Sequence, residues 1–217
     1  MNIIWHGQSC FEIVATPAKN SQVKIIIDPF SEEAGLKVPK LEADILLLTH
    51  NHQSRNSVSA VSGNPFLISD PGEYEIKNIF IQGISSFTNN KKEKEKGENT
   101  IYTIETEDLK ICHLGDLEQK ELNEEQLEDI DDIDILMIPV GGTDTVSAKE
   151  ALRIMAQVEP KITIPMHYAL PKLKVKLDGL DKFLKPLGIK SVIPESKLSI
   201  KQKDISSEEA KIVVLKP

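Results

Sequence analysis

The chain has 217 residues, of which 40% are hydrophobic and 28% charged, enough to bury a core without staples and ordinary for a globular protein. Its formal net charge of -8 repels phosphate backbones at long range and argues against nucleic-acid binding. Two cysteines, Cys10 and Cys112, are too few for a disulfide framework, no leader-like segment opens the chain, and no apolar run reaches the roughly 20 residues that span a bilayer; a cytoplasmic protein of one domain, residues 1–217, with no membrane partner is expected.

Ile3 to Val14 reads as two short strands around a break at Gly7. Val23 to Ile27 is a β-branched run ended by the turn signal Asp28-Pro29. Asp44 to Leu48 is almost wholly apolar, as in a strand buried on both faces, and His50 follows it. Phe66 to Ile68 and Ile76 to Ile84 are further strand candidates, separated by Asp70-Pro71-Gly72. Asn89 to Asn99, rich in Lys, Glu and Asn, reads as a solvated hairpin loop. Thr100 to Ile104 and Leu109 to Leu114 are the next strands. Helical signals follow. Asn123 to Ile130 is short and acidic, and Ser147 stands three residues before Glu150, a capping-box spacing for a helix to about Val158. Ile133 to Ile138 and Ile162 to Met166 are buried-strand patterns. Leu180 to Lys185 predicts a short helix stopped by Pro186, and Ile212 to Leu215 a last strand. Strands first, then strand and helix alternating, predict α/β layers with helices covering sheet faces.

Three strand ends hold groups that ligate metals. Thr49-His50-Asn51-His52 sets two imidazoles on one side of an extended segment, suited to Zn²⁺ and similar ions, although alone it also suits a polar surface turn. Leu114-Gly115-Asp116 offers a carboxylate after a tight turn, though Asp in such a turn is commonly a cap. Ile164-Pro165-Met166-His167 places another histidine at a strand end. Functional groups gather at such ends in layered α/β folds, so the three together point to one site. His113, inside a strand, reads as packed or hydrogen-bonded, His6 as structural, and Cys10 and Cys112 as core thiols. Gly141-Gly142 reads as a tight loop and not a phosphate cradle, since no Lys-Ser/Thr follows.

Seven segments come in a fixed order: Trp5-His6-Gly7-Gln8-Ser9-Cys10-Phe11, Ile27-Asp28-Pro29-Phe30, Thr49-His50-Asn51-His52, Pro71-Gly72-Glu73-Tyr74-Glu75, Cys112-His113-Leu114-Gly115-Asp116, Ile138-Pro139-Val140-Gly141-Gly142 and Ile164-Pro165-Met166-His167-Tyr168. Together they resemble the metallo-β-lactamase-fold hydrolases, and most of all the branch related to L-ascorbate-6-phosphate lactonase. The resemblance covers almost the whole chain. It implies a four-layer αββα sandwich with the metal site at one edge between two sheets. It also implies metal-facing roles for His50, His52, Asp116 and His167, with Asp116 bridging, and support of the fold by Glu73 and Tyr74. Asp28 reads as a partner that orients a histidine.

The chain departs from that pattern. The family's His-x-His-x-Asp-His motif reads here His50-Asn51-His52-Gln53-Ser54-Arg55. Ser54 and Arg55 thus stand where two ligands of a second metal would be, no histidine lies in Ser85 to Asn89, and Gly7-Gln8 replaces an early Gly-His. Arg55 has no lone pair for a metal, repels a second cation, and can pair with Asp116 or bind an anionic group of a small-molecule substrate. One zinc ion (Mn or Ni as alternatives) or none is expected. The leading expectation is a metal-dependent hydrolase of an ester, lactone or phosphoester, with Asp116 and His167 catalytic and His167 a ligand or proton shuttle. The alternative is a non-catalytic relative that binds a ligand or partner without metal. A nuclease of the same fold is disfavoured by the acidic charge.

Overall fold

A computed structural model describes residues 1–19, 21–50, 58–90, 95–205 and 210–217. The first sheet contains β1 (Asn2–Gly7), β2 (Cys10–Ala18), β3 (Ser21–Ile27), β4 (Leu41–Leu47) and β5 (Val61–Ile68). The second begins with β6 (Gly72–Ile76), β7 (Ile79–Asn90), β8 (Glu95–Thr106) and β9 (Leu109–His113). The helix α1 (Glu124–Ile130), the strand β10 (Ile135–Pro139), the helix α2 (Ala148–Val158), the strand β11 (Ile162–Met166) and the helix α3 (Asp181–Leu184) follow. Two short strands, β12 (Leu198–Ser199) and β13 (Lys211–Ile212), return to the sheet edges. The six-stranded sheet has the order β12-β1-β2-β3-β4-β5 and the seven-stranded sheet β13-β11-β10-β9-β8-β7-β6. Both are mixed: β3, β4 and β5 run parallel, as do β9, β10, β11 and β13, and the remaining neighbours are antiparallel.

The core lies between the sheets. Ile3, Trp5, Ile13, Ile25 and Ile45 of the first meet Ile81, Ile104, Ile111 and Met137 of the second in one apolar cluster. Strands β10 and β11 are buried at every position, which accounts for their unbroken apolar sequence. Helices cover the second sheet, with α2 burying Ala148, Ala151 and Ile154. Over the first sheet, Phe30, Ala34, Leu36 and Val38 pack on Ile26, Leu41 and Leu46 as a smaller layer. This is the α/β sandwich of two sheets that the sequence led us to expect. No helix among the described residues is long and apolar enough to cross a membrane.

Three expectations change. Ile76 to Ile84 is not one strand: Lys77 and Asn78, at φ 53 and 60, form a two-residue turn between β6 and β7. Such a mirror-image turn normally advertises itself by Asn-Gly or Asp-Gly, and neither is present. The Asn89 to Asn99 run is largely strand, because β7 and β8 stay paired as far as Asn90 and Glu95. The helix expected at Leu180 to Lys185 ends at Leu184, and Pro186 sits in a 3-10 turn, Lys185–Leu187, that continues it.

Candidate metal centre

Parallel strands place their C-terminal ends along one edge. Asp28 follows β3, Thr49 and His50 follow β4, Asp116 follows β9 and His167 follows β11. The β1–β2 turn adds Gln8 and Ser9. All of these except Thr49 line one cavity of about 180 Å³. Phe30, Ala34 and Val175 supply apolar wall, and Ser31 and Glu33 add polar groups.

His50, Asp116 and His167, residues 9%, 4% and 3% exposed, come together there. His50 Nε2 lies 3.6 Å from Asp116 Oδ2, and His167 Nε2 lies 3.8 Å from Asp116 Oδ1. The two imidazoles therefore face opposite oxygens of a single carboxylate. His167 turns into the cavity because its backbone is left-handed, at φ 51. Gly141 is needed beside it, since a Cβ there would overlap the His167 carbonyl oxygen. Gln8 and Asp28 are left-handed too, at φ 53 and 45. Three such non-glycine residues around one cavity, each costing on the order of 1–2 kcal/mol, are what a functional site concentrates.

A chain of hydrogen bonds sets the His50 tautomer. The Thr49 hydroxyl donates its only proton to Asp28 Oδ2 at 2.6 Å, and the Thr49 N–H donates to Asp28 Oδ1 at 2.8 Å. Thr49 Oγ1 also lies 2.8 Å from His50 Nδ1. Having no second proton, it can only accept there, so Nδ1 carries the hydrogen and, in the neutral ring, Nε2 turns its lone pair toward Asp116. Burial raises the Asp28 carboxyl above its usual pKa, while His50, His113 and the Thr49 bonds hold it down. Asp28 thus orients His50 through Thr49.

Asp116 is fixed from two directions. Ser9 Oγ donates to its Oδ1 at 2.6 Å, and its own N–H donates to Asn99 Oδ1 at 3.0 Å. Asn99, 1% exposed, also donates to Ser86 Oγ at 2.6 Å and to the Leu114 carbonyl at 3.0 Å. Gly115, at φ 63, leaves room for this: a Cβ would overlap Asn99 Oδ1 and lie 2.7 Å from Thr49 Cβ. His113 is fully buried. Its Nδ1 accepts from the Gly115 N–H at 3.1 Å and its Nε2 lies 3.0 Å from the Ser9 carbonyl. Both ring nitrogens are engaged and burial pushes its pKa down, so it is the packed, hydrogen-bonded histidine expected. Cys10 and Cys112 are buried free thiols whose pKa burial pushes up.

His52, Ser54 and Arg55 lie outside the described residues. Among the described residues, no group of three or more His, Cys, Asp or Glu side chains is spaced to hold one ion. The geometry gives the reason: His50 and His167 approach different oxygens of Asp116, which makes pairs of donors and not a trio. The pair on the His50 side fits a cation. Donors about 2.1 Å from a tetrahedral ion stand roughly 3.4 Å apart, close to the 3.6 Å between His50 Nε2 and Asp116 Oδ2. A lone pair facing a carboxylate across that gap is repulsive unless a cation or proton lies between. The donor set thus fits a metal bound by His50 and Asp116 with one further donor.

Ser9 and Asn99 were not singled out in the sequence as supports of Asp116. Ser9 stands in the Trp5 to Phe11 segment, which offered a signal. Asn99 closes a charged run that gave none.

Comparison with known proteins adds three findings. A family described as the beta-lactamase superfamily domain matches residues 2–167. A UPF0173 protein of Pyrococcus abyssi is 29% identical over 195 residues, covering 77% of this chain and 83% of its own, and a UPF0173 metal-dependent hydrolase of Thermoplasma volcanium is 28% identical with the same coverage. A crystal structure from Thermotoga maritima, described as a candidate Zn-dependent hydrolase of the metallo-β-lactamase superfamily, superposes with a TM-score of 0.79 at 33% identity, covering 99% of this chain and 97% of that one.

Proposed function

Since the chain belongs to the metallo-β-lactamase superfamily, we propose that it is a metal-dependent hydrolase acting through one ion held by His50 and Asp116. The ion proposed is zinc, with manganese or nickel as alternatives, and the substrate a small ester, lactone or phosphoester, the range suggested by the likeness to the lactonase branch. The observation that carries the reading is the convergence of His50 and His167 on opposite oxygens of Asp116, at 3.6 and 3.8 Å, inside one cavity. His52 is proposed as the further donor. When bound, such an ion lowers the pKa of a water and polarises the oxygen of the scissile group.

The chain's own residues do the rest. Thr49 and Asp28 hold the His50 ring so that Nε2 presents its lone pair. Ser9 and Asn99 hold the Asp116 carboxylate in place. His167 is proposed to carry a proton to the leaving group. The apolar wall of Phe30, Ala34 and Val175 limits water around the reacting bond. Arg55 is proposed to meet an anionic group of the substrate. We further propose a cytoplasmic setting, where Cys10 and Cys112 stay reduced, and no nucleic-acid or membrane partner.

Elemental analysis of protein purified without chelator tests this. About one zinc, manganese or nickel per chain, lost in His50→Ala and Asp116→Ala, is the result expected. A content near zero that none of the three metals restores would leave the non-catalytic binding protein as the better reading.

A further inference from the structure

Gln8 sits in the turn between β1 and β2 at φ 53. Its carbonyl oxygen accepts from Trp5 Nε1 at 2.8 Å and from the His167 N–H at 3.2 Å. These bonds tie the residue to the strand end that bears His167. Its side chain lines the same cavity as His50, Asp116 and His167. Its Oε1 is buried and, among the described residues, has no hydrogen-bond partner.

That combination is costly to the chain alone. A buried carbonyl oxygen without a donor is destabilising, and the left-handed backbone adds its own strain. Glycine would relieve that strain, and an apolar side chain of equal length would leave no orphaned oxygen. A ligand in the cavity removes the cost by supplying the missing donor.

We propose that Gln8 determines specificity: its Oε1 takes a hydrogen bond from an N–H or O–H donor next to the scissile group of the substrate. The substrate class is then a small acyl or phosphoryl compound with such a donor, its apolar part against Phe30, Ala34 and Val175. A cavity of about 180 Å³ is below the roughly 300–1,000 Å³ of sites for drug-sized ligands, which sets the compound's size. This rests on the metal-centre reading above.

The test uses zinc-loaded protein and two chelating probes, acetohydroxamic acid and N-methylacetohydroxamic acid. Both offer zinc the same two oxygens, and only the first has an N–H. Calorimetric titration of wild type is expected to favour the N–H compound by about tenfold. In Gln8→Met the two should bind within about twofold, which also removes any steric effect of the extra methyl. Equal binding of the two probes by wild type overturns the role of Gln8, whatever the variant does. So does a preference that persists in Gln8→Met, and so does failure of both probes to bind a chain that holds zinc. In these cases the metal centre stands. Failure of both probes together with a zinc content near zero overturns the metal centre, and the role of Gln8 with it.

Discussion

Thr49 has one hydroxyl proton, and Asp28 takes it. The consequence reaches two residues away, because His50 must then present Nε2 to Asp116. Thr49→Val keeps the shape and removes both hydrogen bonds of the hydroxyl. Loss of such an orienting partner is expected to weaken zinc binding by about 10- to 100-fold with little change in the circular dichroism spectrum. Competition with a chromophoric chelator measures it, and an unchanged affinity would mean that His50 is oriented by something else. Asn99→Ala should act differently. It strips partners from the Asp116 N–H, the Leu114 carbonyl and Ser86 Oγ. A stability loss of about 3 kcal/mol in urea unfolding is expected, since buried groups left without partners are the costly case. The contrast between these residues also explains what the sequence disclosed. His50, Asp116 and His167 were legible because each follows an apolar strand run. Asn99 was not, because its partners are reached only through the β7–β8 register, and its neighbours in sequence are charged surface residues.

At the scale of elements, the capping box of α2 was readable in full. Ser147 Oγ accepts from the Glu150 N–H at 3.4 Å, and the Glu150 carboxylate accepts from the Ser147 N–H at 2.8 Å. Ser147→Ala is expected to cost about 1 kcal/mol in urea unfolding and to leave metal binding unchanged. Strand β11, Ile162–Met166, was equally plain, because burial on both faces writes an unbroken apolar run. The β6–β7 hairpin was hidden by its turn: Lys77 and Asn78 adopt the left-handed backbone without a glycine. Strand β12 was hidden by its length, Leu198–Ser199, too short to show alternation.

Across the whole molecule, the proposed metal centre depends on two sheets holding a fixed relation, since His50 comes from one and Asp116 and His167 from the other. Asp44 of β4 and Lys77 of the β6–β7 turn join the sheets by an ion pair. The Lys77 ammonium holds the Asp44 carboxyl below its usual pKa. A carboxyl depressed in the folded state stabilises above its unfolded pKa of about 3.9 and loses that contribution as pH falls through the folded value. Wild type should therefore be more stable than Asp44→Asn at pH 7, with the gap closing as pH falls below about 4. A gap that persisted at low pH would show that the pair contributes through packing and not through charge.

Whether His50 and Asp116 hold an ion is decided by an anomalous difference map, collected at the zinc edge, from crystals of the zinc-loaded chain. One peak between His50 Nε2 and Asp116 Oδ2 is the result predicted. A map with no peak there, or with zinc bound only at surface residues away from these side chains, would contradict it.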